Sequence, residues 1–268
     1  MGLRQYSLIN DPFQEKSEFT IAVKNVGTKE GGSAFLHHHV HTGDVIEASG
    51  PENFFPVRTE ARHHLLLAAG IGITPFLSMM AFLKGMNQPF ELHYSGSSEH
   101  ECAFYSTIKE NYPDESTFYF MKREQKEREL KKVLEDQPVG THIYICGPSS
   151  FMDTYLSYCK NLGYPDENLH SERFRPAKIT QKPYPFSVTE KNTGKTVQVQ
   201  SNQSLLEALR EEGIPVPYAC RMGVCGTCEV NVCNGEVIHH DTFLTEDERK
   251  EKMLTCVSRG KGHLSVRV

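Results

Sequence analysis

Four cysteines near the C-terminus carry the most specific chemistry in this 268-residue chain: Cys220, Cys225 and Cys228, then Cys256 well downstream. The spacing C-x4-C-x2-C…C is that of a [2Fe–2S] cluster held by four thiolates, two to each iron. A short loop must then wrap the cluster with backbone N–H groups aimed at its sulfurs. Gly223 and Gly226 suit such a loop, because glycine tolerates positive φ and close backbone approach. A structural zinc site is one alternative, but zinc favours paired C-x2-C knuckles or added histidines. Here only Cys225 and Cys228 form such a pair. Disulfides are the other alternative. The remaining cysteines, Cys102, Cys146, Cys159 and Cys233, are scattered without a framework, and a reducing cytoplasm fits the set best.

Four further stretches could do chemistry. Gly70-Ile71-Gly72-Ile73-Thr74-Pro75 follows an apolar run and precedes a helical one. Strand, glycine-rich turn and helix together present backbone N–H groups to a pyrophosphate. Pro75 stands where a G-x-G-x-x-G fingerprint needs its last glycine, so the standard dinucleotide motif is absent, and a tight turn without a ligand is the plain alternative. Gly31-Gly32-Ser33 opens a short helix and can offer N–H groups and a hydroxyl to a phosphate, or it is a surface turn. His37, His38, His39 and His41 invite a metal, but histidines so closely spaced on one short element point in different directions. Cys146, with Gly147 and Pro148 after it, reads alone as a buried thiol.

The elements that must position these residues alternate. Phe19–Val23 and the residues after Gly43-Asp44 read as strands. His63–Ala69 is a continuous apolar run of strand length, as expected of a strand buried on both faces. Strands then follow at 90–94, 116–121 and 142–146, with helices from 76, over 103–110, 127–134 and 150–162. Repeated β-α units imply a parallel sheet flanked by helices, with ligands at the C-terminal strand ends. Gly70 to Thr74, Ser95 to Ser97 and Cys146 to Pro148 all gather there. The pattern stops at residues 177–185, where Pro183 and Pro185 mark a linker. A second, strand-rich unit begins at Phe186, with a hairpin through Asn192-Thr193-Gly194. Ser204 and Glu207 predict a capping box on the helix after it, which Gly213 terminates. Strands at 229–232, 236–239 and 264–268 complete a small β-grasp-like unit around the cysteines.

The bulk properties narrow the partners. A formal charge of −5 argues against general nucleic-acid affinity. No apolar run approaches the length that spans a bilayer, and the N-terminus lacks the apolar core of a signal peptide.

Taken in order, these motifs resemble the phthalate dioxygenase reductase family over nearly the whole chain. The resemblance implies a multidomain α/β and β protein: a flavin-binding β-barrel over residues 1–58, a ferredoxin-reductase-type NAD-binding domain over 59–177, a linker at 178–185, and a ferredoxin domain over 186–268. It implies that Arg4 contacts the phosphate of FMN and that Tyr6 and Ser7 (the R-x-Y-S motif) face its isoalloxazine ring. Gly32 and Ser33 match the family's phosphate-binding G-G-S. Gly70, Gly72 and Thr74 match the nicotinamide-side turn. Cys146, with Gly147 and Pro148, matches the element beside hydride transfer, and Phe174, of Glu172-Arg173-Phe174, the aromatic near the flavin. The R-x-Y-S motif begins at Arg4, so the implied barrel is shortened at its N-terminal end. Ser97 replaces a basic residue common among relatives. With no cation close by in sequence, that favours NADH over NADPH. The expected activity is electron transfer from NADH through FMN and the cluster to a Rieske-type oxygenase. A bare electron-carrier module with an idle flavin domain, or a reductase of another acceptor, is the rival reading.

Overall fold

The computed structural model describes residues 4–14, 17–27, 31–48, 50–174 and 184–268, so most of the expected linker lies outside the described residues. The chain divides into two compact units, one ending at Arg173 and the other beginning at Phe174.

The first unit is built on a five-stranded parallel sheet of order β3-β2-β1-β4-β5. Its strands are β1 (His63–Ala69), β2 (Phe90–Ser95), β3 (Ser116–Tyr119), β4 (Thr141–Cys146) and β5 (Leu169–Glu172). Strand β1 is central and apolar from Leu65 to Ala69 because helices cover both faces, while buried His64 is satisfied by the Pro89 and Arg58 carbonyls. Leu66 and Ala68 pack on Ile73, Phe76 and Met80 of the turn and helix α2 (Thr74–Gly85), in a cluster that also takes Ile108 of α3 (Tyr105–Asn111). Leu65 and Leu67 face Leu130 and Leu134 of α4 (Arg123–Glu135), and Met152 and Tyr155 of α5 (Ser149–Asn161). Each of these wholly buried leucines contributes roughly 1.5–3 kcal/mol by leaving water. Strand order reverses between β1 and β4, which opens a crevice at their C-terminal ends. The sequence reading missed β5: Leu169-His170-Ser171-Glu172 is half-buried, lacks alternation, and becomes a strand by pairing with β4.

Before residue 59 the described chain holds helix α1 (Gly32–His38) and one isolated antiparallel bridge, Leu8–Ile21. The strands expected at 19–23 and after Gly43 form no ladder among the described residues. Phe19, Val45 and Ile46 lie exposed, and beyond the single bridge at Ile21 no run of backbone hydrogen bonds makes these segments strands.

In the second unit the sheet order is β7-β6-β10-β8-β9, with β6 and β10 parallel and the other pairs antiparallel. Its strands are β6 (Phe186–Glu190), β7 (Thr196–Val199), β8 (Glu229–Ile238), β9 (Lys252–Leu254) and β10 (Arg259–Arg267). Helix α6 (Leu205–Glu211) lays Leu205, Leu206 and Leu209 onto Val188, Val199, Leu264 and Val266. Its capping box is as expected: Glu207 N–H donates to Ser204 Oγ at 3.2 Å, and Ser204 N–H to Glu207 Oε2 at 3.0 Å. The two strands expected at 229–232 and 236–239 are one strand with an irregular register against β10. Gly235, at φ +105°, makes this possible, since a Cβ there would stand 2.6 Å from the His263 carbonyl oxygen.

Candidate functional site

The loop from Cys220 to Cys228 turns inward through three residues of positive φ: Arg221, Gly223 and Gly226. Such turns bring successive N–H groups to one side, the arrangement that binds anionic sulfur. Met222 N–H donates to Cys220 Sγ at 3.3 Å. Val224 N–H points at the same sulfur, and Gly223 N–H at Cys256 Sγ. The Thr227 hydroxyl lies 3.3 Å from Cys225 Sγ. Side chains at 223 and 226 would not fit: a Cβ at Gly223 would stand 2.6 Å from Val257, and one at Gly226 2.4 Å from the Phe243 ring.

Cys256 arrives from the turn after β9, and a residue the sequence reading missed delivers it. Buried Thr255 donates twice to the Cys228 carbonyl, from its N–H at 3.1 Å and its hydroxyl at 3.0 Å. The thiols form two pairs, Cys220 with Cys225 and Cys228 with Cys256. The hydrogen bond from Cys256 brings the Cys228 thiol down to about 6, against the opposing effect of burial. The same contact raises Cys256. Burial raises Cys220. At Cys225 burial acts the same way but is outweighed by hydrogen bonds from Thr227 and Cys220, so that thiol lies below its ordinary value.

Among the described residues no three His, Cys, Asp or Glu side chains close on a single-ion position. Two thiol pairs under converging N–H donors fit two irons with two thiolates each, rather than the four ligands about one centre that structural zinc takes. The histidine run does not converge either: His37 Nε2 meets the Val23 carbonyl at 2.9 Å, while His41 turns to Asp44.

In the first unit the C-terminal ends of β1 and β4 touch backbone to backbone. A Cβ at Gly72 would stand 2.3 Å from the Cys146 carbonyl oxygen, and one at Gly147 2.9 Å from the Ala69 Cβ. Gly70 sits at φ +56°, its carbonyl accepting from the Tyr94 hydroxyl at 2.7 Å. Tyr94, wholly buried on β2, is a second positioning residue that the sequence reading did not single out. Thr74 Oγ1 donates to the Ile71 carbonyl at 3.1 Å and closes the turn. Pro148 directly precedes α5.

Cys146 itself is wholly buried, and burial, followed by the nearby Glu172 carboxylate, pushes its thiol far up. It is a neutral, unreactive thiol. Its Cα partner on β5 is Glu172, whose carboxyl burial raises and a hydrogen bond from Ser7 partly restores. Ser7 Oγ reaches Glu172 Oε2 at 3.0 Å across 165 residues of sequence. Arg4 lies along Gly32, where a Cβ would meet its Cγ at 2.9 Å. Burial raises the Tyr6 hydroxyl, and the Arg4 charge opposes that shift. The structure thus groups Arg4 with Gly32, and Ser7 with Cys146 and Glu172. Phe174 is exposed and opens the second unit.

The end of β2 holds a cation that its neighbours in sequence do not supply. The Lys126 ammonium donates to the Gly96 carbonyl at 2.5 Å, one residue from Ser97, whose hydroxyl bonds Glu101. Helix α4 brings this cation from 30 residues away, a distance at which sequence proximity says nothing.

Comparison with known proteins matches both units. A 2Fe-2S iron-sulfur cluster binding domain matches residues 188–261, and a dimethylamine monooxygenase subunit DmmA-like N-terminal domain matches residues 46–169. The chain is 35% identical to a vanillate O-demethylase oxidoreductase of Acinetobacter baylyi, over 98% of this chain and 83% of that one. It is 37% identical to a heme-dependent oxidative N-demethylase beta subunit of Ectopseudomonas mendocina, over 96% and 81%. Among solved structures, phthalate dioxygenase reductase superposes with a TM-score of 0.75 at 32% identity, over 99% of this chain and 83% of that one. With its thiol pairs, its parallel sheet and its glycine turn in the same order, the chain belongs to the phthalate dioxygenase reductase family of oxygenase reductases.

Proposed function

We propose that this protein is an NADH-dependent iron–sulfur flavoprotein that passes electrons to a Rieske-type oxygenase engaged in ring hydroxylation or oxidative demethylation. The observation that carries the reading is the pairing of four thiols beneath N–H donors in one unit of a chain whose other unit is a dinucleotide-type sheet. Residues 1–58 are assigned to flavin binding, 59–177 to the nicotinamide nucleotide and 186–268 to the cluster. Bound FMN would supply the conversion of a two-electron donor into single electrons, and the cluster would carry them one at a time.

The chain's own contribution is placement. Arg4 neutralises a phosphate beside Gly32 and Ser33, where the missing Cβ leaves room for the Arg4 side chain. Tyr6 and Ser7 line the ring end. Ser7 donates to Glu172, which keeps that hydroxyl oriented. Gly70, Gly72 and Thr74 shape the turn for the nucleotide's pyrophosphate. Cys146, Gly147 and Pro148 form a close-packed wall to which the neutral thiol adds no charge. Cys220, Cys225, Cys228 and Cys256 would ligate the irons beneath the N–H donors of their loop. No helix among the described residues is long and apolar enough to cross a membrane. The free thiols fit a reducing cytoplasm.

A heme-containing oxygenase is a second acceptor reading, favoured by the relative named as part of a heme-dependent N-demethylase. The test is the iron, acid-labile sulfide and FMN content of fresh protein, with visible spectra before and after anaerobic NADH. Two irons and one FMN, both bleached by NADH, are expected. Iron without flavin and without response to NADH refutes the reductase in favour of a bare electron carrier.

A further inference from the structure

Asp241 plays no part in the chemistry above, yet its side chain is completely buried and lies against both halves of the thiol site. Its Oδ2 accepts from Leu244 N–H at 3.0 Å, and its Oδ1 from the Ser258 hydroxyl at 3.2 Å. Ser258 is two residues beyond Cys256. His239 Nδ1 stands 3.4 Å from Oδ1, and the Arg249 guanidinium 3.7 Å from Oδ2. Arg249 also donates to the Asp241 carbonyl at 2.8 Å.

On the other side the same residue backs the cysteine loop. Gly223 fits so closely against it that a Cβ there would stand 3.1 Å from the Asp241 Cα, and Thr242 N–H donates to the Gly223 carbonyl at 3.0 Å. Gly223 in turn aims its N–H at Cys256 Sγ. The Cys220–Cys228 loop packs on the Asp241 main chain and Cβ while the Cys256 segment bonds its carboxylate through Ser258, so the two meet at this one buried residue.

We propose that Asp241 is the positioning residue of the cluster site: it holds the two ligand-bearing segments in register, and its buried charge disfavours the reduced cluster. This rests on the cluster reading given above. A dehydrated anion beside a redox centre opposes the arrival of an electron, because its field is poorly screened there, and net charge is among the factors that set the potential of such clusters. The Arg249 guanidinium, 3.7 Å from Oδ2, compensates the charge without removing the dipole. Loss of Asp241 would leave the Arg249 cation in excess and shift the potential the same way.

The experiment compares Asp241→Asn and Ser258→Ala with the unaltered full chain. Fewer than two irons in the unaltered protein would count against the cluster reading itself. Given two irons there, Asp241→Asn is expected to fold, since the amide can accept from Leu244 and donate to Ser258. It is expected to lose iron to a chelator about tenfold faster, the factor that follows from weakening one charged hydrogen bond. Its cluster midpoint potential is expected to rise. Ser258→Ala, which keeps the charge, should speed iron loss with a smaller change in potential. An iron-loss half-life and a potential both equal to those of the unaltered protein in Asp241→Asn overturn the proposal. So does iron loss matched by Val188→Ala, a core change remote from the loop, at equal thermal stability. Should Asp241→Asn fail to fold, an unchanged half-life in Ser258→Ala overturns it equally.

Discussion

Gly72→Ala isolates the packing on which nucleotide binding depends. Gly72 is not at positive φ, so alanine brings no backbone strain, only a methyl group. That methyl would stand 2.3 Å from the Cys146 carbonyl oxygen, 2.4 Å from its carbonyl carbon and 2.6 Å from Gly147 N, where ordinary contact begins at 3.4 Å. All three atoms are backbone and no side chain can swing aside, so the ends of β1 and β4 must part by about 1 Å at an overpacking cost of roughly 1–3 kcal/mol. A misplacement of that size at a reacting geometry lowers rates by about 100-fold. Stopped-flow flavin reduction by NADH, with the melting temperature of the first unit and the iron content, measures all three consequences. Hydride transfer should slow by about that factor, stability should fall, and iron should stay at two, because the thiols belong to the other unit. NADH-dependent reduction at the rate of unaltered protein, with unchanged stability, would refute the close-packed wall.

Other perturbations separate the two sites. Cys225→Ser should abolish the cluster's visible absorption while NADH-dependent ferricyanide reduction continues; joint loss of both would contradict the separation of roles. Tyr94→Phe leaves the half-buried Gly70 carbonyl without its donor and should cost about 0.5–1.5 kcal/mol of first-unit stability. It should also raise the KM for NADH at normal iron content, and an unchanged KM would remove Tyr94 from the turn's support. His170 is held down to about 4 by burial and then by His142, whose Nδ1 lies 2.9 Å from its Nε2. The unfolded imidazole takes its proton near 6.5, so the unfolded state gains protons first on acidification. First-unit stability should then drop on the order of 2 kcal/mol between pH 6.5 and 4. In His170→Phe, which keeps a ring against Tyr144, urea midpoints should fall less across that window. Parallel curves for the two proteins would dismiss the pair as the cause.

Sequence alone determined whatever is encoded within a few consecutive residues. The thiol spacing, the glycine turn after the apolar run Leu65–Ala69, and the capping box at Ser204 are local patterns, and each is found in the structure where it was read. Elements whose identity depends on a remote neighbour escaped. Strand β5 carries no pattern of its own and exists through β4. Strand β9 is three residues long. Strand β8 runs through Gly235, which reads as a turn until β10 lies beside it. The segments at 19–23 and after Gly43 have strand composition but no ladder.

The sites divide in the same way. Ligand identity is a matter of residue type, so Cys220, Cys225, Cys228 and Cys256 were legible. Only tertiary structure could pair Ser7 with Glu172 across 165 residues, bring Lys126 to the end of β2, hang Gly70 on Tyr94, or place Asp241 between the two cysteine segments. The reason is physical. A hydrogen bond or a buried charge depends on distance and dehydration, and neither is a property of the chain until the sheet has folded.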